Sequence, residues 1–339
     1  HTFASQRWHI LLGVVYGCWA IGAGCLLPGC APTGGDGGPL PDGLAAVIGC
    51  VKDVGGRRLA DVQVTSGGGG GGTSTDAEGM FSLHLPAGEE QIVVFSRAGY
   101  VTASRRVDVN VGSCSYLPVT LMPMADPQTL DVSEGGVATG ARDASITVLP
   151  DTFVNSSGQP VAGEVQVRLT PYDPAVAEEL NAYPGELRGL TLASEVVPMV
   201  TYGVLDVTVT QNGQPLQIAP GQTITVQIPA PSKGEKPETI EVWIFDAATS
   251  LWVQSEYGDA VYDPQTNTYT ATVGHLSPLN CDRPIVPTCI HGLVKDANGH
   301  PVAGAFVQAI PETAGRISSD YTDMYGYFCM YVERNTDMR

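Results

Sequence analysis

Six histidines and eight cysteines are the side chains of this sequence best suited to bind metal or act as nucleophiles, and their spacing limits what they can do. His84 lies on an alternating segment, and His291 and His300 flank a turn. None has a second ligand at the spacing of a zinc site. The five cysteines beyond the first thirty residues form no C-x-x-C pair, which points to structural thiols of an oxidising compartment. There is no G-x-S-x-G elbow and no pair of catalytic carboxylates. The run Gly67 to Gly72 lacks the Lys-Ser/Thr that would make it a phosphate cradle, and no D-x-D-x-D-G loop offers calcium ligands. Trp243 and Trp252 flank a hairpin, where an aromatic pair fills a core more readily than it stacks on a sugar. The expected class is non-catalytic, with no metal and no cofactor.

The elements that carry these residues must be short. With 41 Gly, 25 Pro and only 15% charged residues, the composition favours strands and tight turns over long helices. A chain of 339 residues has room for two or three domains. The net charge of -18 comes from scattered acids and the 17 Lys+Arg form no basic stripe, which excludes a nucleic-acid partner.

From Ile10 to Leu27 the chain carries no charge, Arg7 precedes the run, and Leu26-Leu27-Pro28-Gly29-Cys30 ends it. That is the layout of a secretory signal, too interrupted by Gly and Cys for a membrane span. Its end resembles a bacterial lipobox in Leu27, Gly29 and Cys30, while Pro28 departs from the pattern. The resemblance implies lipidation of Cys30, with Cys25 as a competing site. Ala31 to Gly43 is a Gly/Pro/Asp-rich spacer. The expectation is an exported protein held at the bacterial cell envelope by an N-terminal lipid in the membrane. A protein or glycan would be its partner, and its oligomeric state is left open.

Residues Val51 to Val64 align without a gap on Val294 to Val307, and Thr75-Asp76-Ala77-Glu78-Gly79-Met80-Phe81 matches Thr322-Asp323-Met324-Tyr325-Gly326-Tyr327-Phe328. One module therefore occurs twice. Asp76 and Asp323 suit a turn that bonds its own backbone, and Gly79 and Gly326 suit the positive φ of such a turn. With the later Ala98-Gly99-Tyr100, the first copy resembles the carboxypeptidase regulatory-like, or transthyretin-like, family of small β-sandwiches. It departs at Arg58, at Asp61 and in the polyglycine run. That resemblance implies a companion module without peptidase activity. It also places Cys50 on a first strand beside Cys114 near the last, implying a Cys50–Cys114 disulfide. Cys281, Cys289 and Cys329 leave an odd count, with Cys289 to Cys329 possible. The second copy is expected to be a C-terminally truncated module with an unpaired sheet edge and an open core.

Between the copies, alternating runs read as strands at Ser145 to Leu149, Gly163 to Pro171, Gly203 to Thr210, Gln222 to Ile228, Thr239 to Phe245, Leu251 to Gln254 and Thr268 to Val273. Val148 to Phe153, Gly163 to Pro171 and Val242-Trp243-Ile244-Phe245-Asp246 resemble the sandwich domain of ankyrins, netrin receptors and cartilage intermediate layer protein. In self-cleaving relatives of that sandwich, a His-Phe-Ser segment lets the serine hydroxyl attack the preceding carbonyl. His275-Leu276-Ser277 is similar, with Leu276 for the Phe and Pro278 next, so His275 and Ser277 are the candidates for self-cleavage.

The fold expected is all-β, a tandem of antiparallel β-sandwiches of transthyretin-like and Ig-like type with the last module truncated. Its parts are a signal with lipobox (1–30), a linker (31–46), a carboxypeptidase regulatory-like domain (47–124), an Ig-like sandwich (128–283) and a partial second carboxypeptidase regulatory-like domain (286–339). The function expected is a scaffold or adhesive binding module. The alternatives are an accessory module of a secreted glycan- or peptide-degrading system, and a self-cleaving surface protein.

Overall fold

The computed structural model describes residues 44–69, 71–111, 114–302, 305–309, 318–322 and 325–334, so the proposed lipidation site Cys30 lies outside the described residues. The described chain is all-β. Its first sandwich comprises β1 (Leu44–Asp53), β2 (Gln63–Ser66), β3 (Gly72–Ser74), β4 (Met80–Pro86), β5 (Gly88–Ser96), β6 (Ala103–Val109), β7 (Cys114–Tyr116) and β8 (Val119–Leu121). One sheet runs β4-β1-β7, with β8 beside β1 further along. The other runs β3-β2-β5-β6. Alternation turns Val47, Leu83 and Leu85 of the first sheet toward Val64, Val93 and Phe95 of the second, and all are buried. Phe81 meets Phe95 edge to face at 5.4 Å.

One pairing differs from an all-antiparallel expectation. The chain leaves β6 on the second sheet and crosses to the far side of β1, so β7 and β8 run parallel to β1. First and last strands are neighbours, as the family resemblance implies, but the register pairs Ala46, not Cys50, with Cys114. Four residues of strand separate Cys50 from that level, about 13 Å at the rise of a β-strand. A disulfide needs Cα atoms within about 7 Å. The Cys50–Cys114 bridge is therefore corrected by the register. Cys50 is buried, with its sulfur 3.8 Å from the Tyr116 hydroxyl.

Among the described residues, several pairings and hydrogen bonds of the repeat recur in both copies. In the first copy Val47 faces Leu83 and Gly49 faces Phe81; in the second, Ile290 faces Met330 and Gly292 faces Phe328. A Cβ on Gly49 would stand 2.1 Å from the Leu117 carbonyl oxygen and 2.9 Å from the Phe81 ring, and one on Gly292 2.7 Å from the Phe328 ring, so neither position has room for a side chain. Asp53 and Asp296 each accept a backbone N–H four residues on, from Arg57 and His300. The T-D-x-x-G motif does more than turn the chain. Buried Thr75 donates its hydroxyl to the Leu59 carbonyl at 2.6 Å and accepts the Val62 N–H at 2.9 Å. Thr322 repeats this with the Val302 carbonyl and the Ala305 N–H. Asp76 accepts the N–H groups of Glu78 and Met80, and Gly79 and Gly326 have φ of 73° and 79°. In the second copy Cys289 lies opposite Tyr331, and Cys329 opposite His291, all on the exposed face of the pair Pro287–Leu293 and Tyr327–Glu333.

The middle sandwich packs a six-stranded sheet on an eight-stranded one. The segment expected as one strand from Thr239 to Phe245 changes sheets. Thr239–Ile240 pairs with Val261 and Ala260 in the smaller sheet, and Val242–Asp246 continues in the larger. Val196–Gln211 is longer than expected because a bulge between Thr201 and Val204, with Gly203 at φ 154°, bends it without ending it. Asn212 and Gly213, with φ of 52° and 78°, close a two-residue hairpin.

Replacing Thr75 or Thr322 by Val keeps the shape but leaves a buried N–H and a carbonyl unpaired. A loss of about 2 kcal/mol is expected for Thr75→Val in urea titration, with Thr75→Ser close to the parent protein.

Candidate functional site

Strand β6 ends its sheet, and an exposed edge there would carry a row of unpaired backbone groups. The middle sandwich covers it. A loop at residues 181–186, running between the strands Glu164–Tyr172 and Arg188–Leu190, lies along β6. The Ser104 N–H donates to the Pro184 carbonyl at 2.7 Å, and the Arg106 N–H to Glu186 Oε1 at 3.2 Å. Between them, the Arg105 guanidinium donates to the carbonyls of Ser104, Tyr183 and Asn181 at 2.8 to 3.0 Å. Burial pulls the Arg105 pKa down, opposed by the charge of Glu186. The Ser104 and Ser250 hydroxyls meet at 2.6 Å inside the same contact.

Beneath this polar seam the two sandwiches share an apolar cluster. Val101 and Met122 of the first pack with Tyr172, Tyr183, Trp243 and Trp252 of the second. Both tryptophans are fully buried, so they belong to this joint and not to a sugar-stacking surface. Phe245 and Trp252 lie 5.0 Å apart, and Tyr172 and Tyr183 meet edge to face at 5.3 Å. At the rim, Glu90 binds Arg188 at 2.8 Å and also Arg106, and the Arg188 hydrogen bond is the main reason its carboxyl is held below the usual range.

A cleft of about 210 Å³ opens beside the seam between β5, β6 and the middle sandwich. Asp206 lines it, 5% exposed, with the Thr208 hydroxyl at 3.2 Å as the donor to its carboxyl. Burial pushes the Asp206 pKa up to about 6, against a small pull from Thr208. Composition and motif reasoning missed this residue, because on an alternating strand an aspartate reads as solvated. The signal was its place within Gly203 to Thr210, a run otherwise dominated by Val and Leu.

The expected self-cleavage pair lies in the connection between the strands Thr268–Val273 and Leu279–Pro284, just before Pro278 of the cleft wall. His275 is exposed, and the Ser277 hydroxyl donates to the Pro278 carbonyl at 3.4 Å. That carbonyl is not the Leu276 carbonyl that an acyl shift would attack. His84, His291 and His300 stay apart, and among the described residues no three His, Cys, Asp or Glu side chains converge on a common point. Among the described residues no helix is long and apolar enough to cross a membrane.

No family model matches the chain. It is similar to cartilage intermediate layer protein 2 of Mus musculus, 25% identical over 205 residues, covering 57% of this chain and 18% of that protein. The Homo sapiens protein of the same name is 26% identical over 191 residues, covering 52% and 16%. The chain thus spans less than a fifth of the length of the curated relatives it matches. This similarity supports a β-sandwich domain and no narrower family. Among solved structures, similarity is found to BcpA, the major pilin subunit of Bacillus cereus, at 12% identity and a TM-score of 0.20, covering 86% of this chain and 85% of that one. The shaft pilin SpaA of Lactobacillus rhamnosus GG gives 12% identity and a TM-score of 0.19, covering 63% and 98%. Neither structural likeness is close enough to say how these sheets are arranged or what they do.

Asp206 gives stability a definite pH slope. Its folded pKa of about 6 lies above the ordinary 3.8, so between those values the folded chain keeps a proton that the unfolded chain has lost. Stability should fall as pH rises from about 4 to about 6, by on the order of 3 kcal/mol in all. Asp206→Asn should remove that slope and melt higher than the parent at pH 8. A lower melting temperature for the variant at pH 8 would show that the carboxylate is stabilised by something other than its surroundings here.

Proposed function

We propose that this chain is a non-catalytic scaffold of a bacterial cell envelope. Carboxypeptidase regulatory-like sandwiches flank a sandwich like that of cartilage intermediate layer protein, and a lipid on Cys30 tethers the whole to a membrane. The observation that carries the reading is the joint between the first two sandwiches. An edge strand covered by its neighbour's loop, a half-buried arginine on three carbonyls and a shared aromatic cluster hold two modules as one rod, the property that a stalk or adhesive presenter requires. Domains joined only by a linker would move independently. The protein or glycan that such a rod presents itself to is left to its loops and clefts.

A second reading, an accessory binding module of a secreted glycan- or peptide-degrading system, draws support from the cleft beside Asp206. The two readings share the same rigid joint and differ in what the chain's wider context supplies. Self-cleavage at Ser277 is the third, and rests on the His275-Leu276-Ser277 segment alone.

Arg105→Met should leave the three carbonyls without a charged donor and loosen the joint by about 2–3 kcal/mol. Energy transfer between dyes on the first and middle sandwiches should read one narrow distance in the parent protein and a broad distribution in the variant. A broad distribution in the parent would end the rod reading. Intact mass of the complete gene product from bacterial membranes should show an acylated, uncut chain. A soluble unacylated product would remove the tether, and fragments split between Leu276 and Ser277 would favour self-cleavage.

A further inference from the structure

We propose that the cleft at the joint is a socket for the side chain of a lysine on an extended partner peptide. Its walls are apolar, from Val94, Val101, Ala103, Phe245 and Pro278, and Asp206 is the sole carboxyl in its lining. At about 210 Å³ the cleft is smaller than the ~300 Å³ at which pockets for drug-sized ligands begin, and suits one unbranched side chain. Thr208 donates to Oδ2 of Asp206, and no other hydrogen bond reaches that carboxyl from the described residues. One oxygen is therefore left to receive a ligand. A guanidinium fork needs both oxygens of a carboxylate, whereas an ammonium acts as a point charge and needs one.

Among the described residues no cation lines the cleft. Arg168, which faces Thr208 across the paired strands, is turned to the Ala125 carbonyl, and Arg105 is engaged with the loop carbonyls. Tyr172 feels the Asp206 charge, and Asp246, next to the cleft-lining Ala247, accepts from Ala248 and Thr249. With its pKa near 6 the carboxyl is ionised at pH 8, and burial against apolar walls leaves that charge poorly solvated until a cation arrives.

A second, open groove of about 440 Å³, lined by Asp61, Gln63, Ser96 and Arg97, shares Thr102 and Met124 with the cleft. It gives a polar shelf for the peptide backbone next to the anchoring lysine. That continuity favours a peptide over a free amine. The site stands whether or not the chain is a tethered scaffold.

The test is binding of acetyl-Gly-Lys-Gly-amide to the full chain, followed by amide shifts at Ser104 and Thr208, with the norleucine and arginine peptides and n-butylamine as comparisons. Saturable shifts are expected for the lysine peptide at pH 8, at least tenfold weaker for the norleucine and arginine peptides and for n-butylamine. Affinity should drop about tenfold at pH 5, where roughly a tenth of a carboxyl with pKa near 6 is ionised. Asp206→Asn should lose at least tenfold at pH 8 while keeping the parent's amide spectrum away from the cleft. Equal binding of lysine and norleucine peptides, no saturable shift at millimolar concentration, or unchanged affinity in Asp206→Asn would each overturn the socket. Equal binding of n-butylamine would overturn the peptide as its occupant.

Discussion

The outer edge of β6 is the constraint around which the described chain is organised. Backbone groups on that edge have no strand to receive them, and leaving them bare would invite pairing with another chain. The loop at 181–186 meets them instead, and every other feature of the joint follows from that approach. Bringing the loop close takes the Arg105 guanidinium partly out of water, where it needs acceptors, and the loop's own carbonyls provide them. It also carries Tyr183 over the aromatic cluster, where it packs on Tyr172. The polar seam specifies the alignment of the two sandwiches, and the apolar area beneath it supplies most of the driving force.

The small modules solve a different problem. Two sheets must meet across an irregular connection between β1 and β2, where no ladder satisfies the backbone. A buried threonine bridges the gap, accepting from one residue and donating to another, and the same bond recurs in the second copy. Glycine opposite phenylalanine recurs as well: the ring leaves no room for a Cβ at Gly292, and at Gly49 the Leu117 carbonyl and the ring together exclude one. These are requirements of packing and hydrogen bonding, which is why the two copies keep them while their surfaces diverge. His84 and Tyr331, for instance, occupy the same register position with unrelated side chains.

The buried carboxyl works against the economy of the joint. Asp206 sits among apolar walls with one hydroxyl for company, and its ionised form is disfavoured there. A purely structural joint would be better served by a neutral side chain of the same shape. The cost is tolerable near pH 5, where the group keeps its proton, and it is felt at neutral pH.

Much of the architecture was legible in the residues. Alternation and turn chemistry located strands such as Leu251–Gln254 and Thr268–Val273 to the residue, because a sheet with one buried face imposes a period of two whatever lies across from it. The internal repeat was visible for the same reason, since its spacing reflects local turns. What lies between distant segments was not legible. The cysteine pairing inferred from resemblance failed because neighbouring strands leave the register free, and only the crossover that makes β7 parallel to β1 decided it. Thr75 read as part of a turn because its partners Leu59 and Val62 are distant in sequence. Asp206 read as solvated because part of its cleft's wall, from Val94 to Ser104, comes from a different sandwich and the rest from other strands of its own. The sequence by itself determined strands, turns and the repeat, all set by neighbours a few residues away. Tertiary structure alone decided register, the covered edge of β6 and the burial of Asp206, since each depends on which remote surface arrives.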